Sequence, residues 1–167
     1  MEYIRNLILQ LSNYVDPLFK SFEGIEKVEI TKFEDKLGFL LPSDFKSFLN
    51  ISNGAVILYE NIYGIYNNNK PFDLFENYLL EKNEVGNPIR EYYLPIYPDG
   101  MGNHTCLDLG SLSPDGKRCN IIFWQHDRQY LKNEQPDIDA KSFTMFLEDL
   151  LNELNEYYNY DGTEKEN

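Results

Sequence analysis

The sequence predicts an α+β domain, with helices at both ends of the chain and a mostly antiparallel sheet between them. Apolar residues recur at helical spacing near both termini. Between them lie short runs rich in β-branched and aromatic residues, as is typical of strands. Turns rich in glycine, proline and aspartate connect the later runs, which favours an antiparallel meander over β-α-β units.

The N-terminal segment predicts a helix that ends near Val15. Pro17 is expected to end or kink it there, because proline lacks the amide that a helix interior needs. The apolar positions that share the expected buried stripe are Ile4, Leu7, Ile8, Leu11, Val15, Leu18, Phe19 and Phe22.

Two short helices are expected next. Thr31 and Glu34 fit a capping box, in which each side chain satisfies a free backbone amide of the first turn. Gly38 is expected to end that helix, because glycine tolerates the left-handed conformation of a C-cap. Pro42 suits the first turn of a second helix that continues to Ile51.

Beyond Gly54 the apolar period changes to that of strands. A loop is expected over 67–71 and a short helix over 72–82. The predicted strands are 55–59, 61–66, 91–97, 104–109 and 117–125.

The last helix has the clearest pattern. We expect Asp139 to cap a helix over 140–158, whose apolar residues follow the spacing i, i+3, i+4, i+7, i+8 and i+11 from Phe143. The polar segment 159–167 is expected to be a disordered tail. The chain of 167 residues is thus predicted to form one domain over 1–158, with 1–24 as a helical N-terminal extension.

Charge excludes two classes of partner. Fifteen basic and 28 acidic residues give a net charge of −13, so phosphate backbones and anionic membrane surfaces should repel the chain. Ten acidic residues and two lysines from Glu134 onward account for −8 of that charge. No segment has the ~20 apolar residues of a membrane span, and no secretory signal is visible, so we expect a soluble cytoplasmic protein without direct nucleic-acid or membrane binding.

Signatures of catalysis are mostly missing. There is no nucleophile elbow, phosphate-binding loop or zinc-binding helix. His104, Cys106 and Asp108 alternate along one strand and could hold a metal ion with Cys119 or His126, but a half-buried packing face is the favoured interpretation. The His126–Asp127 pair could act as an acid and a base, but an exposed loop histidine is the favoured interpretation. We therefore predict no catalytic residue, no cofactor and no metal, and we expect both cysteines to be reduced.

Tyrosine is abundant in the middle of the chain. Such residues either bury their rings in a core or contribute to protein interfaces, and both interpretations stay open here. The six residues are Tyr59, Tyr63, Tyr66, Tyr92, Tyr93 and Tyr97.

Several motifs together resemble one family. Residues 30–49 read ITKFEDKLGFLLPSDFKSFL, and Asn53-Gly54 follows. This segment resembles the opening signature of the SUKH superfamily, which includes fungal cell-wall assembly regulators and many bacterial immunity proteins. The resemblance extends from Val28 to Leu151. It continues through Tyr93-Leu-Pro-Ile96, Asp99-Gly-Met-Gly-Asn103, Cys106-Leu-Asp-Leu109, Trp124, Ser142-Phe143 and Phe146-Leu147.

The resemblance implies N-terminal helices, a central, mostly antiparallel twisted sheet and a C-terminal helix packed on it. It also implies a binding protein without catalysis: an immunity protein that neutralises a cognate toxin, often a nuclease. A regulatory adaptor or scaffold of the same family is the alternative. A nuclease must be basic to hold its substrate, so an acidic inhibitor fits that partner. We expect contacts at loops or strand ends, from Tyr66, Asp99, His126 and Asp127.

Overall fold

Five α-helices and two antiparallel sheets form the computed structural model, which describes residues 2–66 and 71–166. The helices are α1 Glu2–Leu11, α2 Lys27–Leu37, α3 Ser43–Ile51, α4 Leu74–Asn83 and α5 Phe143–Tyr157. The strands are β1 Phe19–Ser21, β2 Ala55–Ile57, β3 Glu60–Ile62, β4 Tyr93–Pro98, β5 His104–Asp108, β6 Asn120–Trp124 and β7 Asp137–Ala140. None of the described helices has the length and apolar character needed to span a membrane.

The two sheets lie side by side. Strands β1, β2 and β3 form the smaller sheet, and strands β4 to β7 form an antiparallel meander in chain order. A hydrogen bond of 2.8 Å from the amide of Tyr63 to the carbonyl oxygen of Ile96 connects them. The α+β class and the antiparallel meander predicted from the sequence are confirmed.

The C-terminal helix packs on the sheet and on the first helices. Phe143, Leu147 and Leu154 of α5 are fully buried, as its apolar stripe predicts. The ring of Phe143 lies 4.9 Å from that of Phe45 and 5.0 Å from that of Phe48, both on α3. Burial of these aromatic rings is a large part of the hydrophobic stabilisation, because each one removes 150–250 Å² from water, roughly.

The N-terminal prediction needs a correction. Helix α1 ends at Leu11, four residues before the expected end. Of the apolar residues that follow, Phe19 belongs to β1, whereas Val15 is 44% exposed. Phe19 pairs with Ile57 of β2, and Leu18 is buried beside it. Pairing with β2 gives these side chains the burial that a longer helix was expected to provide.

The capping box at Thr31 is also wrong. Helix α2 begins at Lys27, so Thr31 lies inside it and its hydroxyl donates to the carbonyl oxygen of Lys27 at 3.1 Å. Glu34 instead accepts from the amide of Leu41 and from the ammonium group of Lys46. The predicted C-cap is confirmed, because Gly38 has a left-handed φ of 81°.

Asp139 does not cap the last helix. It lies in β7, which pairs with β6, and the N-cap is Ser142, whose hydroxyl accepts from the amide of Met145 at 3.1 Å. The predicted loop over 67–71 falls mostly outside the described residues, since positions 67–70 are not described.

Residues 159–166 differ from the disordered tail that the sequence predicts. Tyr158 and Glu164 form an antiparallel bridge, and the amide of Val15 donates to the carbonyl oxygen of Tyr160 at 3.0 Å. The ring of Tyr160 also packs edge-on against Tyr14, with centroids 4.9 Å apart. Aromatic contacts in an otherwise polar segment fold it back onto the connection between α1 and β1. The single-domain organisation stays a prediction.

Candidate partner-binding surface

The loop between β4 and β5 is organised by one carboxylate. Asp99 Oδ1 accepts from the amides of Met101 and Asn103 at 2.8 and 3.0 Å, and Asn103 Nδ2 donates to Asp99 Oδ2 at 2.6 Å. Partial burial alone raises the pKa of Asp99, but these hydrogen bonds outweigh burial and hold that pKa below its usual value. The loop therefore presents a fixed negative charge.

Asn103 also connects this loop to the end of β6. Its Oδ1 accepts from the amide of His126 at 3.1 Å and lies 3.0 Å from His126 Nδ1. Gly102 allows this approach, because it has a φ of 97° and a Cβ there would lie 3.2 Å from His126 Nδ1. The two loops form one rigid unit.

The far side of that unit is held by Asn87. Its side-chain amide donates to the carbonyl oxygens of His126 and Arg128 at 3.1 and 2.7 Å. Asp127 lies between these two residues and is exposed. Three of the four residues expected to contact a partner, Asp99, His126 and Asp127, therefore share one surface.

Tyr66 belongs to a different hydrogen-bonded group. Its hydroxyl donates to the carbonyl oxygen of Asn53, and its amide donates to Asp73 Oδ2 at 2.8 Å. The side chain is half-buried, and burial raises its pKa. In the structure Tyr66 connects the segment after β3 to the start of α4.

Glu60, at the start of β3, extends the Asp99 surface, and sequence reasoning missed it. A Cβ on Gly100 would lie 2.8 Å from Glu60 Oε1, so the carboxylate sits directly against the loop. The two positions are forty residues apart in the chain, and nothing in the local pattern indicates the contact.

Beneath this surface lie buried ionisable groups. His104 Nδ1 is 3.9 Å from Glu81 Oε2, and both residues are more than nine-tenths buried. Burial lowers the pKa of His104 and raises that of Glu81, so it favours the uncharged form of each group.

The two cysteines are buried as well. Burial raises the pKa of the thiols of Cys106 and Cys119. Both cysteines are unpaired and protonated, so neither supplies a reactive thiolate.

His104, Cys106 and Asp108 do alternate along β5, but they do not form a metal centre. Within residues 2–66 and 71–166, no three histidine, cysteine or acidic side chains come together in a way that could hold a metal ion. All three residues of β5 are buried, so they belong to a packing face, which is the interpretation that the sequence favours.

The six tyrosines separate into core and surface. Tyr63 and Tyr93 are buried, Tyr66, Tyr92 and Tyr97 are half-buried, and Tyr59 is 57% exposed. On α5 the residues opposite the apolar stripe face solvent, so its acidic side chains Asp149, Glu153 and Glu156 are exposed. The molecule thus presents an acidic helix face, an acidic loop unit and one prominent aromatic side chain.

Comparisons with known proteins identify a family and a solved structure of similar fold. A model of the SMI1 / KNR4 family (SUKH-1) matches residues 24–149. A crystal structure of a protein from Pseudomonas syringae pv. tomato resembles the fold with a TM-score of 0.54 and 18% identity, over 73% of this chain and 83% of that chain. At this identity the likeness concerns the fold alone. No curated protein matches the chain.

Proposed function

The chain belongs to the SMI1 / KNR4 family (SUKH-1), and we propose that it is an immunity protein that binds a cognate bacterial toxin and neutralises it without catalysis. Family membership favours a protein as the partner. The proposal places the chain in the cytoplasm, where it would meet an incoming toxin, and it requires no cofactor or metal.

The observation that carries the proposal is the placement of negative charge. The net charge is −13, and the exposed side of α5 carries Asp149, Glu153 and Glu156. A nuclease toxin needs a basic groove for nucleic acid. An acidic inhibitor is attracted to such a groove from a distance, and complementary charge raises the association rate by 10–10³-fold, roughly. A basic nuclease is therefore the toxin class that we propose.

The Asp99 loop unit is the proposed contact region. Asp99, His126 and Asp127 lie on one surface that hydrogen bonds hold rigid, so little conformational freedom is lost on binding. We keep Tyr66 as a further proposed contact, through its ring only, because its hydroxyl donates to Asn53.

Co-expression tests the proposal. The proposal predicts that an open reading frame next to this gene encodes the toxin. Its toxin domain, called here the neighbouring toxin domain, is expressed in a sensitive host with and without this chain. We expect this chain to restore growth and to form a complex with the toxin that survives gel filtration. Undiminished killing at equal expression would rule out the immunity function and leave the regulatory adaptor, whose endogenous partner a pull-down should then recover.

A further inference from the structure

Two residues with unusual backbone geometry join β2 and β3. Ile57 pairs with Glu60, so the turn contains only Leu58 and Tyr59. Their φ angles are 51° and 70°, both in the left-handed region. Positive φ at both central residues is the pattern of a type I′ turn, which asparagine and glycine normally form. We call this pair of residues the Tyr59 turn.

The fold does not need a tyrosine in this turn. In the left-handed conformation Cβ crowds the neighbouring carbonyl, so a bulky residue destabilises a turn that Asn-Gly would form without strain. Such strain persists where the rest of the structure enforces it, and it concentrates at functional positions. The strain at this position therefore indicates that the side chain of Tyr59 serves a function other than forming the turn.

The surrounding contacts hold the turn in place without covering its ring. The amide of Leu58 donates to the carbonyl oxygen of Leu18 at 3.0 Å. The hydroxyl of Tyr97 donates to the carbonyl oxygen of Ile57 at 2.9 Å. Burial raises the pKa of Tyr158, and the nearby side chain of Tyr59 raises it further, so the two tyrosines are neighbours. Tyr59 nevertheless remains 57% exposed, so contact with Tyr158 accounts for only part of its surface.

Several carboxylates lie near the Tyr59 turn. Burial and the negative charges of Glu60 and Glu153 raise the pKa of Tyr97, which lies under the turn. Glu164 acts in the same direction on the pKa of Tyr158. Glu60 also touches Gly100, so the Tyr59 turn is continuous with the Asp99 loop unit. An exposed aromatic ring framed by negative charge is complementary to a basic protein surface.

We propose that Tyr59 is the anchor of the interface with the basic partner. Its ring would enter a pocket of the partner, while cationic side chains at the rim of that pocket face Glu60. Tyrosine is enriched among residues that dominate binding energy, and an arginine beside its ring would add a cation–π contact. The inference rests on the proposed function, because the occupant is the toxin.

Substitutions at one position separate the ring from the strain. Tyr59→Phe keeps the ring, Tyr59→Ala removes the ring and keeps the strain, and Tyr59→Gly removes both. With the neighbouring toxin domain as the probe in calorimetric titration, Tyr59→Ala and Tyr59→Gly should each raise Kd about 30-fold or more, which is the effect of losing a hot spot. Tyr59→Phe should change Kd less than about threefold.

Thermal unfolding tests the strain. Tyr59→Gly should melt about 2–4 °C above Tyr59→Ala, because only glycine relieves the backbone strain at this position of the turn.

Tyr3→Ala is the matched control. Tyr3 is 56% exposed and contacts Glu148, which lies nine residues, or roughly 13 Å, before Tyr157 at the end of α5. The Tyr3→Ala variant should leave Kd unchanged.

Binding by Tyr59→Ala at the affinity of the unmodified chain would overturn the anchor role alone. Equal melting temperatures for the alanine and glycine variants would overturn its strain argument. Absence of binding by the unmodified chain would overturn the proposed function, and the assignment of Tyr59 with it.

Discussion

At the scale of single residues, Asn103 is the side chain on which the Asp99 loop unit depends. It donates to Asp99 Oδ2 and accepts from the amide of His126, so one truncation breaks both connections. We expect Asn103→Ala to lower the free energy of unfolding by about 1–2 kcal/mol, in line with the loss of partly buried hydrogen bonds. Thermal unfolding should show a melting temperature lower by about 2–8 °C.

Asn83→Ala is the control for that experiment. Asn83 is exposed on α4 and, among the described residues, its side chain donates only to the carbonyl oxygen of Leu79. Its truncation should therefore cost less than about 0.5 kcal/mol. Equal stabilities of the two variants would mean that Asn103 does not hold the two loops together.

The depressed pKa of Asp99 predicts a dependence of stability on acid. Partial burial opposes the shift, but the hydrogen bonds from Asn103 and Met101 prevail. The folded protein therefore releases this proton at a lower pH than the unfolded chain, whose aspartates titrate near pH 3.9, roughly. The stabilisation is complete above that pH and is lost as the pH falls through the folded pKa. Denaturant titrations from pH 5 to pH 2.5 should show a shallower loss for Asp99→Asn, and parallel profiles would contradict this.

Sequence reasoning identified part of the candidate surface for a physical reason. Asp99 begins a glycine-rich turn and His126 follows the last predicted strand, and such connecting segments place polar side chains at the surface whatever the fold. Glu60 and Tyr59 depend instead on which strands become neighbours. Leu58-Tyr59 has no turn signature, so its left-handed geometry was not predictable from composition or spacing.

At the scale of secondary-structure elements, Asp73 connects α4 to the segment after β3. Its Oδ1 accepts from the amides of Phe75 and Glu76 at 3.0 and 2.9 Å, and its Oδ2 accepts from the amide of Tyr66. Asp73→Ala should therefore cost about 2–3 kcal/mol, which is the loss of an N-cap plus an unsatisfied amide. Urea titration measures the change in the free energy of unfolding.

Ser142→Ala provides the comparison for Asp73→Ala. Ser142 caps α5 through a single hydrogen bond to the amide of Met145, so its truncation should cost about 1 kcal/mol. A loss as large as that of Asp73→Ala would show that the extra contact to Tyr66 contributes nothing.

Elements with a strong internal pattern were predictable, and those created by pairing were not. Helix α5 has an apolar stripe of about three turns, and α3 has a proline at its start and an Asn-Gly pair after its end. Strand β7 buries only Ala140 of its four residues, so it shows no alternation and exists because β6 supplies its hydrogen bonds. Strand β1 has only three residues and depends on β2 in the same way. Local propensity is a weak guide wherever tertiary pairing decides the structure.

At the scale of the whole molecule, burial of carboxyl groups and excess negative charge act in the same direction. Burial raises the pKa of Asp44, Glu81 and Asp108. The folded protein thus keeps these protons at a pH where the unfolded chain has lost them, and stability falls as the pH rises from about 4 through the raised values. Acidification also relieves the repulsion within a chain of net charge −13.

We therefore expect the melting temperature to rise as the pH is lowered from 7.5 to about 5. His104 opposes this trend, because burial lowers its pKa and the unfolded chain takes up that proton below about pH 6.5. Circular dichroism melts across this range measure the sum, and Asp44→Asn should flatten the profile. A melting temperature that falls steadily from pH 7.5 to pH 5 would contradict the dominance of the carboxyl groups.

The position of the charge, rather than its total, should set how fast the partner binds. The exposed acidic residues of α5 allow a test at constant net charge. A triple variant Asp149→Asn, Glu153→Gln, Glu156→Gln and a control triple variant Glu23→Gln, Glu26→Gln, Asp35→Asn each change the net charge from −13 to −10. If α5 steers the partner, stopped-flow association at low salt should slow about tenfold for the first variant and much less for the second.

The dissociation rate separates steering from direct contact. Charges that act only at a distance affect the association rate, and their effect fades as salt shortens the screening length to about 8 Å at physiological ionic strength. Both variants should therefore converge with the unmodified chain at high salt and share its dissociation rate. Faster dissociation of the α5 variant would place the helix inside the interface. Equal slowing of both variants would instead make net charge alone responsible, and the acidic face of α5 would then have no special role in binding.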